Sequence, residues 1–344
     1  MNKFFLLLLL TVFALPSNAQ EALTVQDSIK VFYDSLFHFM ETEYLNKSDV
    51  DWQSLKREVN QAIVTSSSFH GSLKEVKTLF EKSNASHCQV FYKENSYSVL
   101  HQEASEEDFS EQWIKKYANY EDGAFEVKLL KDNYGYIFLP GWNFENIGEK
   151  NIHNLAQPLY NQVDSLKTHY KIEGWIIDLR LNFGGNVYPM LLGIYDLLGN
   201  GKVWGSLDPD GQLKSNVRLL NGTYLDGDKM ISYVNIDGKI MSESKVAVLL
   251  GGATASSGEI VAMSLKGRDN TIFIGQDTYG ATTTNEKRDL PFGAFMALTT
   301  GIDCDRNQNT YERIVPDIYV LKGDNFENLL YDKNIIRAIE YFAK

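Results

Sequence analysis

The chain has 344 residues, of which 44% are hydrophobic and 12% aromatic, and this composition excludes a mainly disordered or fibrous protein. Asp and Glu number 45 against 33 Lys and Arg, which gives a formal net charge of -12. A chain this acidic is poorly suited to neutralising phosphates, so nucleic acid is excluded as an expected partner.

The chain begins with the pattern of an export signal. A positively charged start is followed by an apolar run over residues 4–15 and by small residues at Ser17 and Ala19 that suit a cleavage site. The run is too short to cross a bilayer comfortably, and an uncleaved signal anchor is the alternative. The sequence therefore predicts a signal peptide over residues 1–19, a periplasmic or extracellular protein, and no stable membrane span.

A helical N-terminal subdomain is predicted over residues 20–92. Apolar residues recur at spacings of three and four within residues 29–40 and again within 73–80, which is the period of amphipathic helices. Residues 88–92 follow as a short strand. The polar and irregular stretch 93–124 is predicted to be a connecting segment or a small subdomain.

Residues 125–344 follow a different pattern. Strand-like apolar runs, such as residues 174–179 and 245–250, alternate here with helical ones. This alternation indicates an α/β domain in which helices pack on a sheet.

The first of these strands leads into a turn that contains Gly184 and Gly185. Paired glycines let the backbone turn tightly and leave amides free to face an anion. A tight turn from strand to helix without any ligand is the alternative.

The strand over residues 245–250 runs through small residues into a helix whose first turn carries Ser256. A hydroxyl at a helix N-terminus lies where nearby amides favour developing negative charge. The alternative is that Ser256 or Ser257 is simply a helix cap, which is a very common role.

A base for Ser256 is restricted by the order of residues along the chain. No histidine follows Ser256, so the Ser-Asp-His order of α/β-hydrolases is excluded. The base must come from upstream or be a lysine. His87, which lies where a helix gives way to a strand, is one candidate, although a single histidine is more often a surface or core residue.

The two cysteines, Cys88 and Cys304, permit a disulfide but do not form a disulfide framework. If the segments around them converge on one site, the two are expected to be neighbours. The sequence contains no metal-binding spacing, so neither a metal nor another cofactor is expected.

Four motifs occur in a specific order along the second half of the chain. They are DLRLNFGG at residues 178–185, TASSGEI at 254–260, GQDTYG at 275–280 and VPDIYV at 315–320. Together they resemble the signature of the tail-specific, or C-terminal-processing, serine peptidases, a family that includes the tricorn core protease.

The resemblance implies an α/β fold with a crotonase/ClpP-like serine peptidase core over residues 125–344 and the helical subdomain before it. It also implies a secreted serine endopeptidase that acts on a peptide or protein substrate. No PDZ domain is evident, and the sequence predicts no oligomeric state.

The resemblance also implies a catalytic base. In the C-terminal-processing branch a lysine follows the third motif, and here Ala281 stands in its place. Ser86 and His87 are similar to the serine-histidine pair of the tricorn-like branch. This likeness implies that His87 takes the proton of the nucleophile Ser256, while Ser86 and Glu312 orient the imidazole.

The implied oxyanion hole consists of the Ser257 amide and a glycine amide, that of Gly184 or Gly185. The missing lysine at Ala281 leaves a second interpretation open. Some relatives of this fold bind ligands without hydrolysing them, so a non-catalytic lipid- or peptide-binding protein on the same scaffold is the alternative.

Overall fold

The computed structural model of the protein describes residues 23–99, 106–236 and 238–344. The signal peptide predicted over residues 1–19 lies outside these ranges. Within them, none of the helices combines the length and the apolar character needed to cross a membrane.

The described residues form ten α-helices and fourteen β-strands. The helices are α1 (Val25–Glu43), α2 (Trp52–Ile63), α3 (Phe69–Ser72), α4 (Glu75–Lys82), α5 (Glu111–Tyr117), α6 (Glu149–His169), α7 (Val187–Gly193), α8 (Tyr195–Leu198), α9 (Ser257–Leu265) and α10 (Lys333–Phe342). The strands are β1 (Gln89–Tyr92), β2 (Asn95–Ser98), β3 (Glu126–Leu130), β4 (Tyr134–Phe138), β5 (Gly174–Asp178), β6 (Gly201–Leu207), β7 (Leu213–Leu220), β8 (Thr223–Asp226), β9 (Lys229–Tyr233), β10 (Val246–Leu250), β11 (Thr271–Gly275), β12 (Thr283–Asp289), β13 (Phe295–Asp305) and β14 (Ile318–Tyr319).

A six-stranded sheet in the order β14-β11-β10-β5-β4-β3 forms the centre of the molecule. Its strands are parallel except for β3, which pairs antiparallel with β4. Alternate residues of β10 enter different cores, because Val246 and Val248 pack with α6, α7 and α9, whereas Ala247 and Leu249 pack with α10. Burial on both faces is typical of parallel sheets, and the predicted α/β fold is confirmed.

A second sheet of eight strands is antiparallel, and β13 is its hub. This strand pairs with β1, β6 and β12. Phe32 and Leu36 of α1 share one buried cluster with Met296 and Leu298 of β13. The N-terminal helices and the long strand therefore have a common core, which holds the loop after α4 against the second sheet.

The charged residues of the first sequence motif stabilise the fold. Arg180 is buried and forms ion pairs with Asp178 at 2.5 Å and with Asp324 and Asp332 at 2.7 Å. The three carboxylates raise the pKa of Arg180 against the opposing effect of burial. This cluster ties the C-terminal segment to the turn after β5, and removing one partner would leave a buried charge uncompensated.

The expectation of neighbouring cysteines is wrong. Cys88 and Cys304 are both free and buried. The Cys88 sulfur accepts a hydrogen bond from the Thr299 amide at 3.4 Å, and Cys304 lies five residues further along β13. Five residues of an extended strand span about 16 Å, which is well beyond the limit of about 7 Å for a disulfide.

Candidate active site

Ser256 lies in a strained turn between β10 and α9. Its backbone has φ 51° and ψ -117°, a conformation that costs a residue other than glycine about 1–3 kcal/mol. Neighbouring contacts hold the turn in place, since the Thr254 hydroxyl donates to the Leu179 carbonyl at 2.8 Å and the Ala255 amide donates to the Asn182 carbonyl at 2.9 Å. A strained turn from strand to helix is a known way to expose a nucleophilic serine.

Glu259 links the Ser256 turn to the third motif. Its buried carboxylate accepts hydrogen bonds from the amides of Ser256, Gly280 and Ala281 at 2.8–2.9 Å and from the Thr278 hydroxyl at 2.5 Å. Burial raises the pKa of Glu259, and these donors oppose that effect. Ala281, which follows the third motif directly, is thereby attached to the Ser256 turn by its backbone.

The glycine pair of the first motif lies directly against Ser256. Gly184 and Gly185 have φ of +102° and +104°, and a Cβ added to Gly184 would lie 2.9 Å from the Ser256 Cβ. The Gly184 amide donates to the Asn182 side-chain oxygen at 3.1 Å. Within the described residues, the amides of Gly185 and Ser257 donate to no protein acceptor. Ser257 follows Ser256 in the chain and its hydroxyl donates to the Gly185 carbonyl at 2.5 Å, so both amides lie near Ser256.

His87 is held by strand β12. Its Nδ1 and the Thr283 Oγ1 share a hydrogen bond of 2.6 Å, and its carbonyl accepts a hydrogen bond from the Asn285 side chain at 2.8 Å. Burial lowers the pKa of His87 to about 4, so the imidazole is neutral near pH 7. Thr283 was not identified from the sequence, because only the pairing of distant segments brings it to His87.

Several predicted site residues line one cavity of about 830 Å³. These are Ser86, His87, Gly185 and Ser256. Much of the remaining described lining is aromatic or aliphatic and includes the side chains Val99, Phe109, Trp113, Ile114, Tyr117 and Phe183. We call this space the apolar cavity.

The described residues of segment 93–124, in which the sequence analysis placed no site residue, supply five of these six apolar side chains. The segment contains α5, whose Trp113 stacks on Phe109 with ring centroids 4.0 Å apart. The Trp113 Nε1 donates to the Arg180 carbonyl at 3.0 Å. The segment is thus attached to the first motif, and its aromatic spacing at positions 109, 113 and 117 was the available signal.

Glu312 is not brought to His87. Its side chain is exposed, and it is absent from the described lining of the apolar cavity. Its carbonyl accepts a hydrogen bond from the Thr282 hydroxyl at 3.3 Å. The Thr283 hydroxyl occupies the position beside Nδ1 in which the sequence analysis expected an acidic residue.

The arrangement contains the components of acyl transfer. It has a hydroxyl in a strained turn, a neutral imidazole in the same cavity, and near the hydroxyl two amides that have no protein acceptor among the described residues. Among the described residues, no group of three or more His, Cys, Asp or Glu side chains is arranged to hold a metal ion.

Comparison with known proteins matches the part of the chain that carries the sequence motifs. The model of Peptidase family S41 matches residues 133–320, which is more than half of the chain. This range includes Ser256, Gly184 and Gly185, whereas His87 lies before it.

Two curated relatives match about half of this chain. The nisin-resistance protein of Lactococcus lactis subsp. lactis is 35% identical over 165 residues, which cover 47% of this chain and 51% of that protein. The carboxy-terminal processing protease CtpA of Bacillus subtilis is 27% identical over 158 residues, which cover 45% of this chain and 30% of that protein. The chain thus spans about half of the first relative and about a third of the second.

A solved structure covers more of the chain. A lipoprotein from Streptococcus agalactiae superposes with a TM-score of 0.64 at 24% identity, and the match covers 90% of this chain and 95% of that one. This likeness shows a shared fold.

Proposed function

This chain belongs to peptidase family S41, and from that premise we propose that it hydrolyses peptide bonds through an acyl-enzyme on Ser256 with His87 as general base. The resemblance to tail-specific serine peptidases and the α/β peptidase fold are confirmed by the family match and the relatives. One observation carries the proposal: the strained Ser256 turn opens on the cavity that also holds a neutral His87.

The environment of His87 supports its role as the base. A general base must be unprotonated, and burial keeps this imidazole neutral at physiological pH. When Nδ1 carries the proton and donates to the Thr283 Oγ1, Nε2 presents the lone pair that accepts the Ser256 proton. The same nitrogen then returns the proton to the leaving amine.

The oxyanion hole in this proposal consists of the amides of Gly185 and Ser257. Both amides lack a protein acceptor among the described residues, and both flank Ser256. The Gly184 amide already donates to Asn182, so we assign Gly185 rather than Gly184. A preorganised donor of this kind strengthens its hydrogen bond as charge develops on the carbonyl oxygen.

Ser86 and Glu312 have unequal support as positioning residues. Ser86 lines the apolar cavity beside His87, and we propose that it contacts the part of the substrate that lies next to the His87 imidazole. Exposed Glu312 has no contact that would orient His87. We propose that the Thr283 hydroxyl fills that role.

The substrate in this proposal is a peptide or protein with an apolar segment. The aromatic wall of Phe109, Trp113, Tyr117 and Phe183 supports this choice, because burial of apolar side chains contributes most of the affinity of such a cavity. We further propose that the protein acts in the cell envelope or outside the cell. The leader predicted over residues 1–19 and the lipoprotein with the same fold support that location.

Labelling with a fluorophosphonate tests the proposal, since the reagent needs an activated serine. Ser256→Ala is expected to abolish both labelling and peptide cleavage, whereas Ser264→Ala, on the helix α9 that follows Ser256, should keep both. Mass spectrometry of the labelled protein locates the modified residue. A wild-type protein that binds peptides but is never labelled would support the non-catalytic alternative instead.

A further inference from the structure

Ser256 also borders a second pocket, of about 420 Å³, on the side of the second sheet. We call it the acidic pocket. The lining residues that define it here are Ser206, Asp226, Ser256, Glu286 and Asp303.

Among the described residues, two buried polar atoms of this pocket find no hydrogen-bond partner. Asp303 is 1% exposed, and its Oδ1 accepts a hydrogen bond from the Thr284 hydroxyl at 2.5 Å, whereas its Oδ2 has no partner. The Ser206 hydroxyl, on a fully buried residue, is also unpartnered. Asp303 of β13 and Ser206 of β6 are directly opposite each other in the antiparallel register, so their side chains lie on one face of the sheet.

Most buried polar groups in folded proteins are hydrogen-bonded. Two adjacent exceptions in the lining of one pocket therefore indicate a missing polar partner. The atoms available are a carboxylate oxygen, which only accepts when ionised, and a hydroxyl, which both donates and accepts. A donor group of a ligand satisfies both of them.

The charge balance of the pocket favours a cation. Glu286 is compensated, since it pairs with Lys214 and with Arg288 at 2.6 Å. Asp303 and Asp226 form no ion pair among the described residues, and Asp226 accepts hydrogen bonds only from the Ser215 hydroxyl at 2.7 Å and the Asn216 amide at 3.2 Å. Two carboxylates without a cation remain beside Ser256.

The apolar lining residues of the acidic pocket suit the methylene stem of a long basic side chain. Tyr188, Trp204 and Tyr224 are aromatic lining residues, and Val217 adds an aliphatic surface. Lysine and arginine bury their methylene stems along apolar surface and keep the charged end at a polar site. Aromatic faces attract the cation itself as well.

The positions of the proposed oxyanion amides and of His87 indicate which side of the scissile bond faces the acidic pocket. Of the proposed oxyanion donors, Ser257 lines the acidic pocket and Gly185 lines both spaces, whereas His87 lines the apolar cavity and not the acidic pocket. His87 has to face the leaving amine in order to protonate it. The leaving side of the substrate therefore runs toward the apolar cavity, and the acyl side faces the acidic pocket.

We propose that the acidic pocket is a specificity subsite for a lysine or arginine side chain on the acyl side of the scissile bond. The Asp303 carboxylate and the Ser206 hydroxyl receive the charged end of that side chain. This proposal rests on the proposed function of Ser256, and it adds the class of residue after which the chain cleaves.

Internally quenched peptides that differ at one position test the subsite. The variable residue is lysine, arginine, glutamate or norleucine, which has the length of a lysine stem without the charge. Mass spectrometry of the products should place lysine or arginine directly before the cleaved bond. We expect kcat/KM for lysine to exceed that for norleucine by at least about tenfold.

Asp303→Asn, which keeps the shape of the side chain, should bring this ratio below about threefold. Asp226→Asn, at a less buried position, should lower it by a smaller factor. The matched control is Asp289→Asn, because Asp289 lies on neighbouring β12 and is 85% exposed at its side chain. This control removes one negative charge from the same sheet and should leave the ratio unchanged.

Cleavage without preference for a basic residue would overturn the subsite and leave the peptidase proposal intact. A preference that survives both pocket substitutions would overturn it as well. If no peptide is cleaved, the Kd of each peptide for the Ser256→Ala variant tests the subsite instead. The subsite is supported, and the hydrolytic function fails, if the lysine peptide binds more tightly than the others and Asp303→Asn abolishes that difference. Equal binding of all peptides overturns the subsite.

Discussion

The two halves of the site are held by different kinds of structure. Ser256 and the two amides lie on turns that follow parallel strands, and Glu259, three residues away, fixes the Ser256 turn. His87 lies on a loop before the antiparallel sheet, and its partner Thr283 is 196 positions later in the chain. The nucleophile half thus depends on the nearby Glu259 and on the pairing of the parallel strands β5 and β10. The base half depends on the register of distant antiparallel strands.

Of the substitutions that separate the two halves, removal of the His87 imidazole is expected to have the largest effect on kcat/KM. His87→Ala should lower kcat/KM by at least about a hundredfold, the lower end of what general bases contribute, because no lysine replaces it at Ala281. Steady-state kinetics on a quenched peptide measures this loss. Lys287→Ala is the control, since this exposed β12 residue pairs with Asp289 and lies over the Phe295 ring, away from His87. A near wild-type rate in His87→Ala together with loss in a lysine variant would place the base elsewhere.

A smaller effect is expected when the nucleophile half loses its support. The Glu259 carboxylate accepts hydrogen bonds from four donors. Glu259→Gln introduces an NH₂ group that faces some of these donors, so at least one buried donor loses its acceptor. The free energy of unfolding should fall by about 1–3 kcal/mol, as measured by urea denaturation.

An exposed ion pair provides the control for that measurement. Glu327 pairs with Lys115, and both side chains are more than half exposed. Glu327→Gln should leave the free energy of unfolding nearly unchanged, because solvent screens an exposed ion pair. Equal effects of the two substitutions would mean that Glu259 does not hold the Ser256 turn.

The same contrast explains which parts of the site could be predicted from the sequence. Ser256, Gly184 and Gly185 follow strands with recognisable apolar runs, so chain order alone places them at one sheet edge. Thr283 carries no local signal, because a bulge between Thr284 and Asn285 helps to set the register that brings it to His87. Positive φ at Ser256 is equally invisible in the sequence.

The pairing register of distant strands also explains why the expectation for the cysteines was wrong and why the acidic pocket was missed. Cys88 adjoins His87 and Cys304 precedes Glu312, which suggested that the two segments converge on one site. The structure instead brings Cys88 to Thr299 of β13, five residues before Cys304 on the same strand. The acidic pocket was not identified from the sequence for a related reason. Asp303 and Ser206 are almost a hundred positions apart, and only the pairing of β6 with β13 places them together.

The smallest expected effect concerns the pH dependence of kcat/KM, which should not change between pH 7 and about 5. Burial lowers the pKa of His87 to about 4, and the base is active only when neutral. As the pH falls, kcat/KM should therefore stay nearly constant from pH 7 to about 5 and decrease about tenfold per unit below 4. A histidine with the ordinary pKa of about 6.5 would already lose about thirtyfold by pH 5.

The choice of peptide substrate decides whether the pH profile reports the protonation of His87 alone or also that of Asp303. Burial, together with the negative charge of Glu259, raises the pKa of Asp303 to about 7, and the Thr284 hydroxyl opposes that shift. Acidification through pH 7 protonates Asp303 and weakens its attraction for a cation, so the lysine peptide should lose kcat/KM there while the norleucine peptide does not. Circular dichroism at each pH separates loss of the base from unfolding. A norleucine profile that falls near pH 6.5 in a folded protein would show that His87 is hydrated and that burial does not tune the base half.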